Sequence, residues 1–326
     1  MTARDMTKLI IQIPCYNEEQ TLPTTLAALP RKVPGVDVVE WLVVDDGSAD
    51  RTAEVAKSGG VDHVVRLPSH RGLAKAFMAG LDACLKAGAD VIVNTDADNQ
   101  YDAGAIPQMV EPVLAGRAEM VVGVRSVSEI AHFSGIKKFL HRLGSGVVRL
   151  ASNTRIPDAP SGFRALSREA AMRINVFTEY TYTLETIIQA GQKGMAICSV
   201  PVSVNKPLRP SRLISSVPGY VLRSIMTILR IFVTYRPLRF FAFLAILFLV
   251  PGLLLGLRFL RFYLAGHGTG HVQSVILCGL LLGAGFFLLV MALVVDLIAV
   301  NRVFMERIDW RLKKIEEQLD KERGNG

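Results

Sequence analysis

The strongest constraint on this chain is a block of almost continuous apolar sequence over residues 240–300. Residues 240–257 carry no charge, and residues 272–295 form a second long apolar stretch. Each is close to the ~20 residues a helix needs to cross ~30 Å of hydrocarbon. Two transmembrane helices are therefore predicted, joined through the turn-rich Gly266-His-Gly-Thr-Gly270. Up to about Val204 the apolar residues come instead in short runs separated by polar turns, as in a soluble α/β protein. The 326 residues divide into a soluble domain at 1–213, a juxtamembrane amphipathic helix at 214–237, two membrane spans within 238–301 and an amphipathic tail at 302–326.

A net charge of +8 could signal nucleic acid, but the positions of the basic residues argue otherwise. Lys206, Arg209, Arg212, Arg223, Arg230, Arg236 and Arg239 precede the apolar block, and Arg302, Arg307 and Arg311 follow it. Such flanks hold both ends of a hairpin in the cytoplasm and attract anionic lipid. The expected partner is the membrane, with no nucleic acid. Cys15, Cys84, Cys198 and Cys278 show no C-x-x-C spacing and no adjacent His pair, so buried free thiols are expected rather than a zinc site. The apolar run at 9–13 is too short for the core of a signal peptide. The chain is thus expected in the cell's inner or plasma membrane, with its soluble domain and both termini cytoplasmic.

Short β-branched or aliphatic runs at 9–13, 38–44, 63–67, 91–94 and 120–124 alternate with helix-like stretches at 18–29, 50–57, 73–87 and 105–114. Alternation of this kind predicts a Rossmann-like, mainly parallel, doubly wound sheet whose ligands bind beyond the carboxyl ends of the strands. Three polar clusters fall at that edge: Pro14-Cys-Tyr-Asn-Glu-Glu, Asp45-Asp-Gly-Ser and Asp96-Ala-Asp-Asn-Gln100. Asn17 and Asp50 read as helix caps. Capping accounts less well for Asp45, Asp46, Asp96 and Asp98, because four carboxylates on one edge repel one another unless a cation or ligand compensates. Asp-x-Asp at a strand end can offer two carboxylates to one hard divalent ion, with Gln100 as a further oxygen ligand.

Together with Val44-Asp-Asp-Gly-Ser, Arg71-Gly72 leading into a helix, Gly123-Val-Arg125, Asp158-Ala-Pro-Ser-Gly-Phe-Arg164 and Asn205-Lys-Pro-Leu-Arg-Pro-Ser-Arg212, these clusters resemble the inverting glycosyltransferases of family 2, with the GT-A fold. Within that family the two following spans resemble the branch of dolichyl-phosphate mannose synthase and polyprenyl-phosphate glycosyltransferases. The resemblance implies that Pro14, Tyr16, Glu18, Asp45 and Asp46 line a nucleoside pocket, with Gly72 and Ala97 also at the nucleotide. It implies that Asp96, Asp98 and Gln100 hold Mg2+ or Mn2+, and that Arg125, Arg164 and Arg212 face donor or acceptor phosphates. Asp158 is expected to position an acceptor oxygen or to anchor Arg164. The expected substrates are a nucleotide sugar, with a UDP-hexose favoured over GDP-mannose, and a polyprenyl phosphate.

Residues 217–235 are expected to form an interfacial helix carrying Ile225, Ile228, Leu229 and Phe232. In the tail, Phe304, Ile308, Leu312, Ile315 and Leu319 recur at helical spacing, so self-association into a homo-oligomer is expected, with packing on the soluble domain as the alternative. Among other functions, a processive polysaccharide synthase is disfavoured by the lack of Q-x-x-R-W and by the two spans. A dinucleotide oxidoreductase is disfavoured because no G-x-G-x-x-G follows the first strand. A non-catalytic membrane tether that binds a nucleotide would have little need of the Asp-x-Asp cluster.

Overall fold

In the computed structural model, the residues described are 6–125, 149, 152, 154, 156–176, 182–206, 226, 229, 230, 233–266 and 272–324. The chain divides into two units, one of residues 1–224 with 313–326 and the other of residues 225–312.

The first unit is built on a seven-stranded sheet of β1 (Lys8–Cys15), β2 (Val38–Asp45), β3 (His63–Arg66), β4 (Val91–Asn94), β5 (Met120–Arg125), β6 (Arg164–Ser167) and β7 (Ile197–Val202), in the order β3-β2-β1-β4-β6-β5-β7. All neighbours are parallel except β6, which runs antiparallel to both β4 and β5. The helices are α1 (Leu22–Ala28), α2 (Thr52–Ser58), α3 (Leu73–Lys86), α4 (Ile106–Leu114), α5 (Arg168–Arg173) and α6 (Thr183–Gln192). The five strands expected from sequence are present. β6 and β7 were not anticipated, because β6, Arg-Ala-Leu-Ser, holds no β-branched residue and β7 is interrupted by Pro201. α1 begins at Leu22 rather than at residue 18, since residues 16–21 are drawn into the loop that frames the site.

Alternate residues of the strands face opposite layers. Leu9, Ile11, Ile13, Val43, Val91, Val93, Val121 and Ala165 pack with Leu22 and Leu26 of α1, Ala56 of α2 and Ile106, Met109 and Val110 of α4. On the other face α3 approaches so closely that a Cβ on Gly80 would lie 2.5 Å from Gln12 Oε1 and 3.0 Å from Val44 Cγ2. That face carries a polar rung. The register places Gln12 beside Asn94 and Asn94 beside Arg164, and all three are fully buried. Buried polar groups persist only when paired. Gln12 Nε2 donates to Asn94 Oδ1 at 2.8 Å, and Asn94 Nδ2 contacts Gly162 O at 2.9 Å and Tyr182 Oη at 2.8 Å. The Tyr182 ring stacks on Phe77 of α3 at 3.9 Å.

The second unit contains α7 (Pro237–Leu264), of 28 residues, and most of α8 (Val272–Gly324), of 53 residues. Both are long and apolar enough to cross a membrane, and their apolar side chains are largely exposed. At 1.5 Å per residue α8 runs for about 80 Å, far beyond a bilayer core. Tyr235 packs beneath the Arg302 guanidinium at 4.2 Å. Of the expected interfacial helix, residues 226, 229, 230 and 233–235 are helical, and the remainder lies outside the described residues. Phe304, Ile308, Leu312, Ile315 and Leu319 are each about half exposed. Within the first unit, Lys313 and Lys314 at the end of α8 pair with Asp82 of α3 at 3.8 Å and Glu169 of α5 at 3.6 Å. No disulfide links the cysteines: Cys15 and Cys84 are buried as expected, whereas Cys198 and Cys278 are only half-buried.

The tie between Gln12 and Asn94 limits how far Gln12 can move, so Gly80→Ala should overpack the α3 face and cost about 1–3 kcal/mol. A lower Tm of the detergent-solubilised protein is expected. An unchanged Tm would show that Gln12 swings aside freely.

Candidate active site

Beyond β1 and β2 the two connecting loops are zipped together by side chain to main chain hydrogen bonds. Asn17, with φ +54°, turns the chain so that its N–H reaches Ser48 Oγ at 2.9 Å and its Oδ1 accepts from Ala49 N at 2.9 Å. Glu18 N donates to Thr52 Oγ1 and Glu19 N to Asp50 Oδ2. Asn17 is therefore a loop clamp and not the cap of α1. Asp50 accepts from Thr52 N at 3.0 Å and does serve the first turn of α2.

The two aspartates of β2 have different tasks. Asp45 is fully buried: its Oδ1 accepts from Ser48 N at 2.9 Å, and its Oδ2 lies 3.3 Å from Arg66 Nε without a hydrogen bond. Asp46 faces the next loop, accepting from Arg71 N and Gly72 N at 2.8 Å each, with His70 Nδ1 also at 2.8 Å. The same His70 ring stacks on Tyr16 at 3.8 Å. Gly72, at φ +89°, then starts α3. Asp46 thus organises the 69–72 loop, while Pro14 is buried at the end of β1 and Tyr16 is exposed beyond it.

At the end of β4, Thr95 N still bonds to Gln12 O of β1, and Asp96 follows. Asn99 takes φ +55°, and Asp98 Oδ1 accepts from Gln100 N at 3.2 Å. This loop is strapped from both sides: Thr25 Oγ1 of α1 donates to Ala97 O at 2.8 Å, and Asn205 bonds to Gln100 O and Asn99 O. The backbone of Ala97 is held by α1, and Gln100 is half-buried.

The antiparallel entry of β6 delivers the 158–164 segment to this same edge. Arg125 grips Asp158 in a two-pronged pair, Nε to Oδ2 at 2.8 Å and Nη2 to Oδ1 at 2.9 Å, with Asp158 buried and Arg125 a quarter exposed. Asp158 thus holds Arg125, where the expectation was that it anchors Arg164. Arg164 also departs from expectation. It does not present a free guanidinium to a phosphate but is fully buried, donating to Ser161 O, Ala159 O, Thr183 O and Thr186 Oγ1. Burial draws its pKa down to about 10. Its register beside Asn94 puts the Arg164 side chain under α6, where it knots the 159–161 turn to that helix. Arg212 lies outside the described residues.

Gly162 is required by closeness: a Cβ there would stand 2.8 Å from Tyr182 Oη and about 3 Å from both Asp96 oxygens. Tyr101, missed from sequence, receives Gly162 N on its hydroxyl at 3.1 Å and stacks on Phe163. Its position next to Gln100 was the available signal. Tyr182 and His70 were missed as well; nothing local marks Tyr182, and His70 adjoins the Arg71-Gly72 pair.

The carboxylates converge. Burial raises the Cys15 thiol well above its usual range, and the charges of Glu18, Asp45, Asp50 and Asp96 push it the same way. Asp96 is pushed up to about 7 by burial and then by Asp98, opposed by Arg125. A carboxylate whose ionisation is opposed by burial and by a neighbouring carboxylate is a fitting donor for a hard cation. Among the described residues no group of three His, Cys, Asp or Glu side chains is placed for a metal, so further ligands would come from Gln100, a substrate or water.

Because the Asp96 pKa lies above its ordinary 3.8, the metal-free fold favours the protonated acid. This contribution to stability is fully present below about pH 4 and is lost as pH rises through about 7. Asp96→Asn should therefore flatten the fall in Tm between about pH 4 and pH 7 and shrink the stabilisation given by Mn2+. A variant that follows the parent in both respects would contradict this placement of the charge.

Comparison with known proteins agrees with the geometry. The family described as "Glycosyl transferase family 2" matches residues 10–174. The undecaprenyl-phosphate mannosyltransferase of Micrococcus luteus is 29% identical over 223 residues, 65% of this chain and 90% of that protein. The polyprenol monophosphomannose synthase of Mycolicibacterium smegmatis is 28% identical over 213 residues, 62% of this chain and 79% of the relative. Among solved structures, the glucosyl-3-phosphoglycerate synthase of Mycobacterium tuberculosis with Mn2+, UDP-glucose and phosphoglyceric acid superposes with a TM-score of 0.54 at 22% identity, covering 68% of this chain and 79% of the other, a likeness of fold. With its mostly parallel sheet, its carboxylates gathered at the strand tips and a family match over half its length, the chain belongs to glycosyl transferase family 2.

Proposed function

We propose that the protein transfers a hexose from a nucleotide sugar to a polyprenyl phosphate at the cytoplasmic face of a membrane. The observation that carries this reading is the pairing of one carboxylate-rich sheet edge with two helices long and apolar enough to span a bilayer. Relatives named for undecaprenyl-phosphate and polyprenol acceptors support the acceptor class. The basic residues before α7 and within α8 favour cytoplasmic termini.

A phosphate monoester is already an oxyanion at neutral pH, so it can attack the anomeric carbon with little help from a general base. The protein's work is alignment and stabilisation of the departing nucleoside diphosphate, which favours a single in-line displacement with inversion. Asp96 and Asp98, with Gln100, would hold Mg2+ or Mn2+, and that ion would neutralise diphosphate charge. Asp45, Glu18, Pro14 and Tyr16 would receive the nucleoside, with Asp46 shaping the wall through Gly72. Arg125, kept in place by Asp158, is the guanidinium at the site edge with a part-exposed face for a phosphate oxygen. Arg164 would act from beneath as a buried positive charge, and Arg212 would meet the acceptor phosphate. A homo-oligomer through the exposed stripe of α8 is part of the same proposal.

A UDP-hexose is the donor favoured on sequence grounds, and mannose in the names of the relatives favours GDP-mannose as the second reading. Purified protein given short-chain polyprenyl phosphate, Mn2+ and a panel of UDP- and GDP-hexoses should form one glycosyl-phospholipid, identified by mass. Asp98→Ala should lower its formation on the order of a hundredfold or more while the protein still folds and inserts. Undiminished turnover in that variant would remove Asp98 from the site.

A further inference from the structure

His70 has no part in the displacement, yet it is held as tightly as a working residue. Asp46, with its side chain 3% exposed, lies 2.8 Å from His70 Nδ1 and accepts the N–H groups of Arg71 and Gly72. A carboxylate has only lone pairs to offer, so Nδ1 faces it with a proton, and in the neutral tautomer Nε2 keeps an acceptor lone pair. The stack on Tyr16, at 3.8 Å and 22°, fixes the ring plane. Gly47, at φ +68°, closes the arrangement from the tip of β2, where a Cβ would stand 2.6 Å from His70 N. Half of the His70 side chain nevertheless remains exposed.

The loop bearing this ring is tied to the tip of β2, two strands from the Asp-x-Asp loop of β4 in the order β2-β1-β4. At about 4.8 Å per strand the offset is about 10 Å, the scale of the separation between a nucleotide's diphosphate and its nucleoside. An acceptor lone pair repels phosphate oxygens and base carbonyls, and it welcomes an N–H or O–H.

We propose that His70 is a specificity-determining residue for the donor nucleotide, its Nε2 accepting a hydrogen bond from the nucleoside's ribose hydroxyl or base N–H. The inference rests on the reading that this edge binds a nucleotide sugar. It assigns to Asp46 the positioning of that imidazole.

Full-length protein in detergent with Mn2+ is titrated with UDP and GDP by calorimetry, alongside His70→Asn, which keeps a donor for Asp46 but draws its acceptor, Oδ1, back from the position of Nε2, and His70→Phe, which keeps the ring stack. Each variant should bind the preferred nucleotide about tenfold more weakly, with the loss appearing in donor KM more than in kcat. Parent-like affinity in both variants, or in His70→Phe alone, overturns the proposal. 2′-Deoxy-UDP and N3-methyl-UDP, or the corresponding guanosine analogues, locate the contact: the analogue lacking the relevant hydrogen should bind the parent poorly and the His70→Phe variant no worse than the natural nucleotide. Equal losses on parent and variant for both analogues also overturn it. Failure of the parent to bind either nucleotide would instead bring down the donor reading itself, and this inference with it.

Discussion

Negative charge concentrated at the carboxyl edge of the sheet sets the terms for everything around it. Glu18, Asp45, Asp50 and Asp96 all bear on the tip of β1, and Asp98 adds to the load on Asp96. Like charges at partly buried positions are tolerated only when each is answered. The protein answers most of them locally. Main-chain N–H groups satisfy Asp46, Thr21 donates to Glu18, and Ser48 donates to Asp45. Burial and Asp98 raise the Asp96 pKa, so a cation there has charge to offset.

Precision at this edge comes from what lies behind it. The Gln12-Asn94 rung ties β1 to β4, and Asn94 in turn holds Gly162 O and Tyr182 Oη. Gly162 lies between Tyr182 and Asp96 with no space for a methyl group. Arg164 secures the adjoining turn from below, and Arg125 secures it through Asp158. A chain of buried polar contacts therefore runs from the centre of the sheet to Gly162, which packs closely on the carboxylate proposed to bind metal. In a low-dielectric interior such chains are rigid when fully satisfied.

The division between reactive and supporting residues was only partly legible beforehand. Asp45 and Asp46 are adjacent and identical, but opposite directions along a strand tip send one into the buried edge and the other to the 69–72 loop. Arg125 and Arg164 both read as phosphate ligands. One pairs with buried Asp158 and stays a quarter exposed, while the other is enclosed under α6, because its register beside Asn94 places it on that face of the sheet. His70, a single exposed imidazole in a turn, gains meaning only from Tyr16 and Asp46, 54 and 24 positions earlier in the chain.

Local pattern by itself determined the alternating α/β domain, the five strands β1–β5, the polar clusters at their ends and the two apolar helices, because hydrophobic period and run length are properties of neighbouring residues. Only the tertiary structure decided that β6 inserts antiparallel between β4 and β5, which carboxylate meets which arginine, and which glycine must stay small. Those outcomes depend on strand order and on contacts between residues far apart in the chain, and no short-range periodicity encodes either.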